Sequence, residues 1–334
     1  MSNATKISWT DATSNPLKYR DASGRDVWAC VKVSAGCANC YAESLGHRYG
    51  RGKPFTAANM RTLAPYLDKK ELKHLLTAKK LAGKSVFLND MTDGFGAWVT
   101  DAMLDRMFAV FVLRRDVTFQ LLTKRPERMA EYLDSRSPRV AGNVVPPEWL
   151  KILNDERDEQ GRNWTTKYRH RNCYGRGQWP LPNVHLGVSV ENQEQADARI
   201  PHLLRRCPAA VRWLSVEPLL GPVRLDQCAP YTLGGDESNP GVINAFNGLC
   251  HHPATVKFKP DGAGSDDGIS WVVIGGESGP GYRPCQVEWI ADIAAQCKAA
   301  GVACFVKQDA GPRPGMQGRI PEELWSLKEF PQGA

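Results

Sequence analysis

The chain has 334 residues, 42% hydrophobic and 24% charged, with a net charge of +7. That composition is ordinary for a folded protein with a substantial core, and the length suits about two average domains or one α/β barrel. No stretch reaches the roughly 20 apolar residues of a membrane helix, and Met1 to Lys6 hold no apolar secretory core. A cytoplasmic location is expected, where the ten cysteines remain thiols. The positive charge is spread along the chain, so it permits a polyanionic partner without requiring one.

In chain order, residues 7–11 (Ile-Ser-Trp-Thr-Asp) form a short strand-like run followed by turn-rich sequence. Three cysteines come next, in Cys30-Val-Lys-Val-Ser-Ala-Gly-Cys37-Ala-Asn-Cys40-Tyr41, spaced C-x6-C-x2-C ahead of a helical run over 41–49. Leu63, Leu67, Leu72, Leu75 and Leu76 have helical spacing and predict a helix within 62–81. Residues 85–93 read as a buried strand ending in acids, and 101–113 as an amphipathic helix. Residues 118–125 form another strand, after which Pro126 opens a helix toward Leu133. The rhythm then fails over about 134–182, an insertion rich in Arg, Asn, Gly and Pro with one helix expected at 147–157. It returns with a strand at 184–192, a helix at 193–206 and a strand at 211–218. A second irregular insertion covers about 226–267, before a strand at 270–278, a helix at 287–300 and a strand at 302–308.

Continuous apolar strands alternating with amphipathic helices indicate a parallel sheet covered on both faces. Six such strands, with a seventh near Ile7, predict a single domain over 1–334. The fold class is α/β, a complete or partial (β/α) TIM-like barrel carrying the two insertions.

Polar residues fall where the strands stop: Asp90 and Asp93, Lys124 and Arg125, Glu191 and Asn192, Glu217, Glu277 and Ser278, Lys307 and Gln308. In barrels that rim carries the active site. A single charge there marks only a chain emerging into water, whereas six strands in succession point to a polar mouth for a charged ligand. Gly275-Gly276-Glu277 reads either as a place where a ligand reaches the main chain and an acid meets an ammonium, or as a tight turn before Pro280. Lys124-Arg125-Pro126 is an anion clamp at a helix start, or a solvated helix end. Three thiols among the small residues Ser34, Ala35, Gly36 and Ala38 suit a cubane iron–sulfur cluster with one iron left open. A structural zinc with a remote fourth ligand comes second, and plain buried thiols third. Arg157, Arg162, Arg169, Arg171 and Arg176, interleaved with Trp164, Tyr168 and Tyr174, point to nucleic acid.

Six motifs together carry a resemblance: residues 7–13 (ISWTDAT), 32–43 (KVSAGCANCYAE), 121–128 (LLTKRPER), 186–192 (LGVSVEN), 214–222 (LSVEPLLGP) and 273–280 (VIGGESGP). The chain resembles the bacteriophage family of three-Cys-motif phage proteins. That family is distantly similar to the radical S-adenosylmethionine enzymes, among them spore photoproduct lyase. The resemblance implies a [4Fe-4S] cluster on Cys30, Cys37 and Cys40, with S-adenosyl-L-methionine at the open iron. Tyr41 lies beside the last ligand, and Gly275, Gly276 and Glu277 match the glycine-glycine-glutamate that holds the cofactor's amino group. Asp90, Glu191 and Ser278 complete the cofactor-binding candidates. Glu217, Lys124, Arg125 and Lys307 are the catalytic candidates.

The chain departs from that pattern twice. The usual spacing is C-x3-C-x2-C, and the glycine-glycine-glutamate usually follows the second strand rather than a late one, which leaves Asp90 or Glu217 as alternatives. The implied activity is radical modification or repair of a nucleic acid or nucleotide in a phage-infected cell, served by an electron donor. The alternatives are a non-catalytic nucleic-acid- or partner-binding protein with a structural metal, and a zinc-dependent hydrolase whose open metal position activates water.

Overall fold

The computed structural model describes residues 3–136, 145–157, 161–164, 179–231, 241–252, 255–258 and 268–331. Its strands are β1 (Asn3–Ala4), β2 (Ala12–Ser14), β3 (Leu17–Arg20), β4 (Asp26–Val27), β5 (Ala64–Leu67), β6 (Lys84–Leu88), β7 (Val117–Thr123), β8 (Val184–Ser189) and β9 (Val211–Val216), followed by β10 (Cys228–Tyr231), β11 (Gly241–Ile243), β12 (Cys250–His252), β13 (Thr255–Phe258), β14 (Trp271–Gly275) and β15 (Ala303–Gln308). The main sheet has the order β1-β2-β6-β7-β8-β9-β14-β15. Seven of these strands, β2 through β15, run parallel, and β1 adds an antiparallel edge. Strands β2 and β15 do not pair with each other, so the sheet is a curled half-barrel rather than a closed one.

Alternation along the strands separates two apolar faces. Val86, Leu88, Phe119, Leu121, Leu186, Val188, Leu214, Val216, Val272, Ile274 and Val306 belong to the large core shared with the helices. Their neighbours in sequence, Phe87, Trp213, Trp271, Val273 and Phe305, form a second cluster around Trp9. Trp9 shows why the sheet must curl. Its ring lies 4.8 Å from that of Phe87 on β6 and 5.1 Å from that of Trp213 on β9. In a flat sheet those strands stand about 14 Å apart, three steps of about 4.8 Å. One indole touches both because the inner face is concave, and Trp9 plugs it.

The covering helices Asp101–Leu113, Pro126–Arg136, Gln193–Arg206 and Val287–Ala300 lie where periodicity places them. Thr100 caps the first through the Met103 amide, and Asn192 caps the third through the Gln195 amide. The helix expected at 147–157 is Pro147–Asp155. Its Trp149 is fully buried, stacks on Phe108 at 4.7 Å and donates to Asp105.

Three expectations are corrected. The strand placed at 7–11 falls instead at Ala12–Ser14, because Trp9 leaves the chain direction to fill the half-barrel. The helix expected across 62–81 is shorter. Residues 64–67 pair with β3 as β5, and Asp68 then caps a helix limited to Lys69–Thr77. The second insertion is not irregular throughout, since β10 to β13 form an antiparallel sheet within it. Arg169, Arg171, Arg176, Tyr168 and Tyr174 lie outside the described residues. Among the described residues no helix is long and apolar enough to cross a membrane.

Candidate functional site

Parallel strands necessarily deliver their carboxyl ends to one edge of the sheet, so the polar residues singled out at those ends converge. Lys124, just past β7, places its ammonium 2.6 Å from Glu191, just past β8. Glu217 beyond β9 receives two hydrogen bonds from the Lys307 ammonium of β15, at 2.6 and 2.8 Å, and one from Gln308 at 3.0 Å. Arg125 donates to Asp93 at 2.8 Å. Asp93 also accepts from the Thr123 hydroxyl at 2.7 Å and from the backbone amides of Phe95 and Lys124.

The cysteine loop lies across this edge and is held by it. Ser34 donates to Glu191 at 3.0 Å, Arg283 to the Ala35 carbonyl at 2.9 Å, and Asn39 to Glu277 at 3.0 Å. Arg125 reaches the Val31 carbonyl at 2.7 Å, and the Tyr41 hydroxyl reaches the Asp90 carbonyl at 2.5 Å. Lys32 closes the loop on itself through the Ala38 carbonyl and Glu43. Gly36 is required where the loop crosses Glu191, since a Cβ there would stand 2.3 Å from the Glu191 Cγ. Asn39 and Ser34, inside the cysteine motif, thus serve as its fasteners.

The carboxylates differ in their surroundings. Glu191 is fully buried; burial alone would raise its pKa, but Lys124 and Arg199, the latter 3.0 Å away, outweigh burial and hold it below the usual range. Glu277 is likewise opposed by burial and held down by Arg283, which donates from its backbone and guanidinium at 2.5–2.9 Å. Asp90 goes the other way: burial raises it despite the hydrogen bond from Asn15. Tyr41 is half-exposed, and desolvation, reinforced by the Asp90, Cys40 and Glu217 charges, holds its pKa well above the ordinary range.

Cys30, Cys37 and Cys40 are free, half-buried thiols. Cys30 and Cys40 pack on the same apolar patch of Ala42, Phe55 and Met91. Burial pushes the Cys30 thiol up to about 12; Asp93 adds to this and Arg125 opposes it. Burial also raises Cys40, against the pull of Lys124. Thiolates are the donor type that iron–sulfur clusters use. Among the described residues, the three cysteines included, no group of three or more His, Cys, Asp or Glu side chains is placed so that it could hold a metal ion.

The family model described as "Protein of unknown function (DUF5131)" matches residues 4–319. The chain belongs to the DUF5131 family. Comparison with curated proteins and with solved structures gave no match. The matched span of this DUF5131 chain takes in the cysteine loop and all six polar strand ends.

The remaining candidates take distinct places. Gly276 packs against backbone, where a Cβ would lie 2.2 Å from the Ala310 nitrogen, and Gly275 faces Gln308 and Glu217. Ser278 forms an isolated bridge with Gly311, away from the cysteines in sequence and paired to the segment after β15. Arg199 and Arg283 are prominent in this DUF5131 site yet absent from the residues singled out in the sequence, and Asp93 is absent from the cofactor-binding and catalytic candidates. Asp93 was visible as a strand-end acid. Arg283 and Arg199 carried no local signal, because their roles depend on what folds beside them.

Proposed function

We propose that the chain is an iron–sulfur enzyme of the radical S-adenosylmethionine type that modifies or repairs a nucleic acid or nucleotide, in keeping with its resemblance to the phage three-cysteine family. One observation carries the reading: a loop bearing three free thiols is fastened by five separate hydrogen bonds across the polar carboxyl edge of a (β/α) half-barrel. Barrels conduct their chemistry at that edge. The group implied, a [4Fe-4S] cluster with S-adenosyl-L-methionine, would supply one-electron reduction and hydrogen abstraction.

In this reading Cys30, Cys37 and Cys40 hold the cluster. Ser34, Asn39 and Gly36 fix the loop that presents them. Glu217 and Lys307 offer a charge pair to a polar ligand, and the aromatic floor around Trp9 keeps water from the inner face. Asp90, whose pKa burial raises, sits beside Tyr41.

The test is anaerobic reconstitution with iron and sulfide, followed by reduction in the presence of S-adenosylmethionine. A brown protein that cleaves the cofactor supports the proposal. A colourless protein that retains zinc favours a structural metal or a zinc hydrolase instead. Filter binding with single-stranded nucleic acid tests the substrate class, since an affinity independent of salt would argue against a polyanion.

A further inference from the structure

Positive charge that is dispersed in the sequence is gathered by the fold. Three segments rim the mouth: residues 28–61 with the cysteine loop, 277–286 after β14 and 309–319 after β15. Hydrogen bonds join them. Asn39 donates to the Gly281 carbonyl and Arg283 to the Ala35 carbonyl, each at 2.9 Å. The Gly279 amide donates to the Gly311 carbonyl and the Gly311 amide to the Glu277 carbonyl, each at 3.0 Å. Together the segments hold eight lysines and arginines against three acids, a net of +5 out of the chain's +7. Each acid is paired within the rim: Glu43 with Lys32, Glu277 with Arg283 and Asp309 with Arg319. Arg48, Arg51, Lys53, Arg61 and Arg313 have no ion-pair partner among the described residues, and the four arginines are exposed.

Apolar surface collects on the same rim. Among the described residues six large hydrophobic side chains are exposed, and five of them, Val33, Tyr41, Tyr49, Tyr282 and Met316, belong to these segments. None of the three tyrosines packs on another ring among the described residues. Tyr41 opens the helix Tyr41–Arg48 and Tyr49 follows it, about 12 Å further along at 1.5 Å per residue. Phosphates of one strand recur about every 3.4 Å, so that stretch suits several nucleotides rather than one.

This mixture selects among polyanions. Arginine forks suit the phosphates of any nucleic acid, but only an unpaired base offers its face to a tyrosine. An anionic membrane surface would call for exposed Trp, Phe or Leu, and these segments expose none.

We propose that the rim is a binding track for single-stranded nucleic acid, with Arg48, Arg51 and Arg313 on phosphates and Tyr49 and Tyr282 stacked on bases. This inference rests on the nucleic-acid half of the proposed function and is independent of what the cysteines hold.

The experiment titrates the full chain against a fluorescein-labelled single strand of about 12 nucleotides, its blunt duplex and unlabelled mononucleotides, by fluorescence anisotropy over a salt series. Wild type is expected to bind the single strand at least about tenfold tighter than the duplex, as one stacked base is worth that much. R48Q/R51Q should weaken binding and flatten the slope of log affinity against log salt by about 1.4, at about 0.7 per phosphate contact. Y282A should lower affinity by about 5- to 150-fold with the salt slope unchanged, and Y282F should bind as wild type. K79Q/K84Q, beside the start of β6 at the opposite edge of the sheet, should also bind as wild type. Equal affinity for strand and duplex would overturn the inference and leave the nucleic-acid reading standing. So would wild-type binding by both R48Q/R51Q and Y282A, an equal loss in K79Q/K84Q, or binding of mononucleotides alone. If R48Q/R51Q does not fold, R313Q decides in its place by a loss of about 0.7 in the slope. Preference for vesicles of anionic lipid over the single strand would overturn the inference in favour of a membrane surface. Wild type that binds neither strand, duplex nor mononucleotide would overturn both.

Discussion

The Lys124 ammonium stands 2.6 Å from the Glu191 carboxylate, and this pair joins two strand ends directly beneath the cysteine loop. Arg199 approaches the same carboxylate at 3.0 Å, and Ser34 donates to it from the loop. Glu191 thus ties β7, β8, a covering helix and the cysteine loop to one buried carboxyl group.

Removing that group should be costly. Glu191→Ala leaves Lys124 and Arg199 facing each other without a counter-charge, and breaking a buried pair typically costs about 3–5 kcal/mol. Urea denaturation of the variant should show a loss of that order, with Glu191→Gln intermediate. Because the folded carboxyl is held below its unfolded pKa, the stabilisation is present at neutral pH and fades as pH falls through the folded value. An unfolding midpoint unchanged in Glu191→Ala would mean that the pair contributes little.

Gly36→Ala should act on the loop rather than on the fold. The added methyl would meet the Glu191 side chain at 2.3–2.6 Å, and Glu191 is packed on every side. Overpacking of this kind costs about 1–3 kcal/mol. The expected outcome is a modest fall in thermal midpoint with a large fall in iron incorporation. Normal incorporation would show that the loop tolerates displacement.

His185 supplies a pH signature independent of the mouth. It is 1% exposed on β8 and neither ring nitrogen has a hydrogen-bond partner, and burial lowers its pKa from 6.5 to about 4. Since the folded value is depressed, the unfolded chain binds the proton first as pH falls. Stability should therefore be complete above about 6.5 and decline toward 4, by about 3 kcal/mol at about 1.4 kcal/mol per pH unit. His185→Gln should flatten this part of the curve. An equally steep curve in the variant would assign the slope to other groups.

Trp9→Ala should be the most destabilising change on the concave face. It empties the centre of a cluster that includes Phe87, Trp213 and Trp271, and aromatic-to-alanine core changes cost about 3–5 kcal/mol. Trp9→Phe should recover much of the loss. Equal losses for both variants would indicate that the indole ring system, rather than filled volume, matters there.

How far the sequence revealed this molecule depended on what each segment packs against. The strands β6 to β9, β14 and β15 were legible because both of their faces are covered, so each reads as a continuous apolar run. Their polar ends were legible for the same reason, since the first charge after such a run marks the edge of the sheet. β5 was hidden because Leu63 and Leu67 keep helical spacing with the leucines after Asp68, although Pro65 and the Asp68 cap divide the segment. β10 to β13 were hidden because strands of three or four residues among Gly, Asn and Pro carry too little alternation. The partnership of Glu277 with Asn39 had no signature either, because Asn39 is 238 positions from Glu277.

Metal and sulfide analysis of anaerobically purified protein tests the central claim most directly, with Cys30→Ala, Cys37→Ala and Cys40→Ala measured alongside wild type. The account predicts about four irons and about four inorganic sulfides per wild-type chain, falling sharply in each single variant. Wild-type protein containing stoichiometric zinc and no sulfide, or iron content unaffected by all three substitutions, would contradict it.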